Sequence, residues 1–166
     1  ISLMPHDAAA YSAPELDVSQ WFNTGDTPTL AALRGQVVLL HAFQMLCPAC
    51  VRLATPQAQQ AHEQFGRQGL AVLGLHTVFE HHEAMQPVSL EAYIHENHLS
   101  FPIGVDRPDG QHGLPLTMRA YGMQGTPTLL LIDRQGRLRQ HVFGHVPDLA
   151  LGAAIGSLLA EALPST

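Results

Sequence analysis

The chain has two cysteines, Cys47 and Cys50, three residues apart just beyond an apolar run, and this junction limits the possible folds more than any other stretch. Val37 to Phe43 (VVLLHAF) is short, apolar and preceded by Gly35, which predicts a buried strand. After the cysteines, residues 48–68 carry Leu53, Ala54, Ala58, Ala61 and Phe65 near helical spacing and close at Gly66 and Gly69, which predicts a helix. Pro56 lies inside that helix without an N–H to give, so a kink is expected there, setting the cysteine-bearing turns apart from the rest.

The rest of the chain extends the alternation. Leu70 to His76 reads as a second buried strand and Ser89 to His98 as a helix with Ser89 as its N-cap. Phe101 to Val105 reads as a short strand, followed by a Gly- and Pro-rich polar loop from Asp106 to Pro115. Thr128 to Ile132 and Leu138 to Phe143 flank the turn Asp133-Arg134-Gln135-Gly136, a hairpin signal, and Pro147 to Leu163 reads as the closing helix. Trp21 and Phe22 are expected to pin the N-terminal segment onto the sheet. The pattern predicts an α/β fold with a central mixed sheet flanked by helices: one domain over residues 14–166 behind a flexible tail over 1–13.

Composition excludes several functions. No apolar run approaches the roughly 20 residues of a membrane-spanning helix, so no membrane partner is expected. The net charge is −6 and all eight cationic residues are scattered arginines, which argues against nucleic acid. With no lysine in the chain, Schiff-base and P-loop lysine chemistry are both excluded. Ile1 to Ala13 lacks the pattern of a secretory leader; with Met4 as a native start the expectation is a cytoplasmic protein, and with a leader already removed a periplasmic one.

At a helix start, the Cys47-Pro48-Ala49-Cys50 spacing puts both side chains on one face, about 5–6 Å apart at Cβ, close enough to form a reversible disulfide. So short a loop removes little entropy from the unfolded chain, so the bond serves poorly as a staple. The amides of the helix start favour a thiolate at Cys47, and Pro48 at the first helical position forgoes no hydrogen bond. Cys47 is therefore the expected attacking thiol and Cys50 the resolving one, a chemistry that needs no cofactor. Two inert cysteines, or half of a zinc site, are the plainer readings. His76, His81 and His82 follow the second strand and raise the alternative of a Cys/His copper carrier, although adjacent His81 and His82 point apart. His95 and His98 with Glu91 form at most a surface set on a solvated helix face, and no metal site is assigned.

The stretch APELDVSQWFNTGDTPTLAALRGQVVLLHAF leading into CPAC, the GTPT of Gly125 to Thr128, and the strand-turn-strand after it resemble the thioredoxin-like superfamily. The closest branch is the redoxins, which include the thiol-specific antioxidant proteins and the reductases of cytochrome c maturation. The resemblance covers about Ala13 to His145, plus the last helix by position. It implies a thioredoxin fold with an N-terminal extension and a redoxin-type insertion between Thr77 and Pro115. It further implies a cis proline at Pro127 against the cysteines, and Thr126 backbone offered to a substrate. The implied activity is thiol–disulfide exchange with a protein or small-molecule disulfide, renewed by a recycling reductase. Leu46 stands where thioredoxin has tryptophan, and His41 where it has a buried aspartate, which makes His41 a candidate proton acceptor for Cys50. Gln44 stands where peroxiredoxins place a threonine, so a thiol peroxidase is the enzymatic alternative.

Overall fold

The computed structural model describes residues 11–163. Their elements are β1 (Tyr11–Ser12), β2 (Val18–Phe22), β3 (Val37–Phe43), α1 (Thr55–Phe65), β4 (Leu70–His76), α2 (Pro87–Glu96), β5 (Ile103–Asp106), α3 (Leu116–Tyr121), β6 (Thr128–Ile132), β7 (Arg137–Phe143) and α4 (Asp148–Leu159). The strands form one mixed sheet in the order β1-β7-β6-β3-β4-β5-β2.

β3 lies at the centre, parallel to β4 and antiparallel to β6, and all seven of its residues are buried. A central strand covered on both faces needs apolar residues at every position, which is why VVLLHAF shows no alternation. Successive side chains still go to opposite faces. Val37, Leu39 and Phe43 pack with Ala58 and Ala61 of α1 and with Leu151 and Ile155 of α4. Val38, Leu40 and Ala42 pack with Leu73, Leu75, and Met118 and Tyr121 of α3. Because β6 is antiparallel to β3, with Ala42 opposite Thr128, the start of β6 lies beside the end of β3. That register brings residues 125–127 to the edge where the cysteines emerge.

The structure corrects several boundaries. Tyr11 and Ser12 pair with Leu138 and Arg137, so these two residues of the expected tail belong to the sheet, and Ala13 is buried beside it; residues 1–10 lie outside the described residues. α2 starts at Pro87, not Ser89, because a proline suits the first turn, where its missing N–H has no intrahelical partner. The strand expected over Phe101 to Val105 is β5, Ile103–Asp106, and the closing helix runs from Asp148 to Leu159 with Pro147 at its cap. Trp21 and Phe22 do lie on the sheet, in β2, which pairs with β5. α3 follows the expected loop directly. Its start is held by the buried Asp106 carboxylate, which accepts the Thr117 and Met118 amides at 2.8 and 2.9 Å. At Pro56 the expected distortion takes the form of a wide turn: Cys50–Ala54 is π-helical, and the Thr55 N–H reaches back five residues to the Cys50 carbonyl.

Candidate active site

Cys47 leads a helical stretch that begins at Pro48, with its N–H on the Gln44 carbonyl at 3.0 Å and its carbonyl accepting the Val51 N–H at 3.0 Å. The Cys50 N–H, an amide of the helix start, donates to the Cys47 sulfur at 3.3 Å. Cys47 is half-buried, whereas Cys50 is wholly buried. Burial first, and then the hydrogen bond to Cys47, pushes the Cys50 thiol up to about 12. One sulfur is thus open to a partner, and its neighbour is held protonated behind it.

The opposite side is formed by the loop before β6. The Thr126-Pro127 peptide is cis, as the resemblance implies, and the Cys47 thiol donates to the Thr126 carbonyl at 3.6 Å. Pro48 and Ala49 are exposed at the mouth. Gly125 has no side chain because a Cβ there would stand 3.0 Å from the Phe143 ring. A groove of about 440 Å³ runs past the thiol, lined by Leu46, Cys47, Pro48, Phe79, Glu80, His81, Gln124, Gly125, Thr126 and Phe143.

Gln44 is buried, and its amide is fully used. Its Oε1 accepts the Phe79 N–H at 3.2 Å, and its Nε2 donates to Glu80 Oε1 at 3.3 Å and to Thr126 Oγ1 at 3.5 Å. The side chain therefore ties the two walls of the groove together, which leaves little of it to bind a peroxide.

His41 lies in β3, stacked on Phe43 at 4.9 Å with its Nε2 2.8 Å from the Thr55 hydroxyl. The Tyr93 side chain also hydrogen-bonds Thr55. Burial lowers His41 to about 3, so it stays neutral far below the range in which Cys50 would release a proton to it.

The histidines after β4 have different fates. His76 is buried, and its Nε2 accepts the Met45 N–H at 3.1 Å, fixing the loop between β3 and Cys47; burial lowers it to about 4. His81 lines the groove, while His82 turns away to meet His112 edge-on at 4.6 Å. Among the described residues no three His, Cys, Asp or Glu side chains are close enough to hold a metal, so His76, His81 and His82 do not join the cysteines as a copper ligand set. α2 ends at Glu96, so His98, at φ 52°, does not share a helix face with Glu91 and His95. Sequence reasoning missed Glu80, Phe79 and Phe143. The one available signal for Glu80 was its place in the run after β4, at the carboxyl edge where such sheets gather their chemistry.

Comparison with known proteins follows the same lines. The structure matches a solved thioredoxin-like superfamily protein with TM-score 0.89 and 57% identity, covering 92% of this chain and 99% of that one. It matches a thiol-disulfide isomerase from Corynebacterium glutamicum with TM-score 0.85 and 46% identity, over 90% of this chain and 98% of that one. The chain is 30% identical over 156 residues to protein DipZ of Mycobacterium tuberculosis, which takes in 92% of this chain but only 21% of that longer protein. The thioredoxin-like fold expected from the sequence is that of the two solved structures, and thiol–disulfide chemistry is named for the second of them. The AhpC/TSA family matches residues 9–141, and the chain belongs to it.

Proposed function

We propose that the chain exchanges its Cys47-Cys50 dithiol for a disulfide in a polypeptide partner. The observation that carries this reading is the pairing of a groove-exposed Cys47 sulfur with a buried, protonated Cys50 one turn behind it. The Cys47 thiolate attacks one substrate sulfur; the substrate S–S bond breaks and the first substrate thiolate leaves. Cys50 then attacks the Cys47 sulfur of the mixed disulfide. The mixed bond breaks, the second substrate thiolate departs, and the proton shed by Cys50 ends on a departing thiolate. Two electrons pass from the dithiol to the substrate, and a Cys47-Cys50 disulfide remains. A partner dithiol that reduces this disulfide by the same two steps returns the protein to its starting state.

The test is trapping. Cys50→Ser should accumulate the mixed disulfide on Cys47, seen as a reducible adduct on a non-reducing gel, and Cys47→Ser should form none. Turnover of the neutral reference hydroxyethyl disulfide should fall at least a thousandfold in Cys47→Ser. Retained turnover in that variant would overturn the assignment.

A further inference from the structure

The groove offers more than an open sulfur. Leu46 is 52% and Phe143 51% exposed on either side of Cys47, an apolar collar that a free protein gains nothing by presenting and that suits the flanks of a bound polypeptide. Among the described residues lining the groove, Glu80 is the one Asp, Glu, Lys or Arg. Among the described residues, no Arg lines the groove and no ion pair engages Glu80. Its carboxylate is also held in place: Oε1 accepts from Gln44 Nε2, and Gln44 is itself buried and fixed by the Phe79 N–H. Oε2 remains for a partner. An uncompensated carboxylate in the same groove as the reacting sulfur is complementary to a cation, and its hydrogen bond to Gln44 lowers the entropic cost of ordering it on binding.

From this we infer that Glu80 is a specificity residue that favours polypeptide disulfides carrying Arg or Lys beside the reacting cysteine over those carrying Glu or Asp. The inference rests on the exchange reaction proposed above. Attraction in one case and repulsion in the other act on encounter with the groove, so the difference appears in kcat/KM. For a solvent-exposed pair, it amounts to about tenfold between the Arg and Glu forms at low salt, shrinking as salt rises.

The experiment uses the dithiol form of the whole chain and three symmetrical peptide disulfides with blocked termini and Leu-Cys-Arg, Leu-Cys-Gln or Leu-Cys-Glu cores, with hydroxyethyl disulfide as the uncharged reference. The expected order is Arg over Gln over Glu. In Glu80→Gln, whose amide oxygen can still accept from Gln44, the Arg-to-Glu ratio should fall below twofold, and wild type at 0.5 M salt should move the same way. Equal or reversed rates in wild type, or a ratio that survives Glu80→Gln, overturns the inference while leaving the exchange reaction standing. Failure of wild type to reduce any of the four disulfides overturns the exchange reaction itself.

Discussion

The two walls of the groove are built on different principles. The wall that carries Pro127 is held mainly by backbone: the Gly144 N–H donates to the Pro127 carbonyl at 2.8 Å, Thr128 pairs with Phe143, and the Thr128 hydroxyl closes on the Gly125 carbonyl at 2.7 Å. The wall that carries Phe79 and Glu80 is held by side chains, chiefly Gln44, and the loop bearing Gln44 is held in turn by His76. A backbone-held wall tolerates substitution at its surface. A side-chain-held wall depends on the hydrogen bonds and charge state of a few buried groups, which makes it the adjustable half of the site.

The contrast can be broken first with acid. The unfolded chain protonates His76 near its ordinary 6.5, whereas the folded chain keeps it neutral down to about 4. The stability it contributes is therefore complete above pH 6.5 and is lost as pH falls from there towards 4, on the order of 3 kcal/mol at the limit. His41, lowered to about 3, adds in the same direction. Thermal melts between pH 7 and pH 4 should show the midpoint dropping, with a shallower slope in His76→Asn; an unchanged slope in that variant would show that His76 does not hold the wall. Gln44→Leu comes next. It removes three hydrogen bonds and leaves the Phe79 N–H without its partner, a loss of about 1–3 kcal/mol by chemical denaturation, with faster hydrogen exchange at the Phe79 amide. On the opposite wall, Gly125→Ala brings a Cβ to 3.0 Å from the ring of the half-exposed Phe143, which can give way, so less than about 1 kcal/mol is expected, with the ring moved. Thr126→Val deletes a hydroxyl bonded at 3.5 Å but keeps the carbonyl facing Cys47, so less than about 0.5 kcal/mol is expected. The smallest effect on rate belongs to His41→Asn, which should leave hydroxyethyl disulfide reduction within about twofold of wild type; a large drop in rate would return His41 to the chemistry.

How much of this could be read from the residues depended on where each signal lay. Val37–Phe43 and Thr128–Ile132 were legible to the residue, because central strands are continuous apolar runs. β2, with the half-exposed pattern of an edge strand, and the two-residue β1 gave no such run. α3 was missed because its amides are satisfied by Asp106, ten or more residues earlier, instead of by a local cap. In the site, Cys47 and Cys50 were visible as a spacing and Pro127 through its motif. The Gln44–Glu80 bracket spans 36 residues and exists only once β3 and β4 lie side by side, so no local pattern announced it.

The pairing of Ala42 with Thr128 also has a consequence for biosynthesis. The reactive pair is made early and locally, whereas its receiving loop arrives only after a chain closure of more than eighty residues, a slow kind of contact to form. A nascent chain therefore carries the dithiol and the Gln44–Glu80 side of the groove before the wall bearing Pro127 has been made.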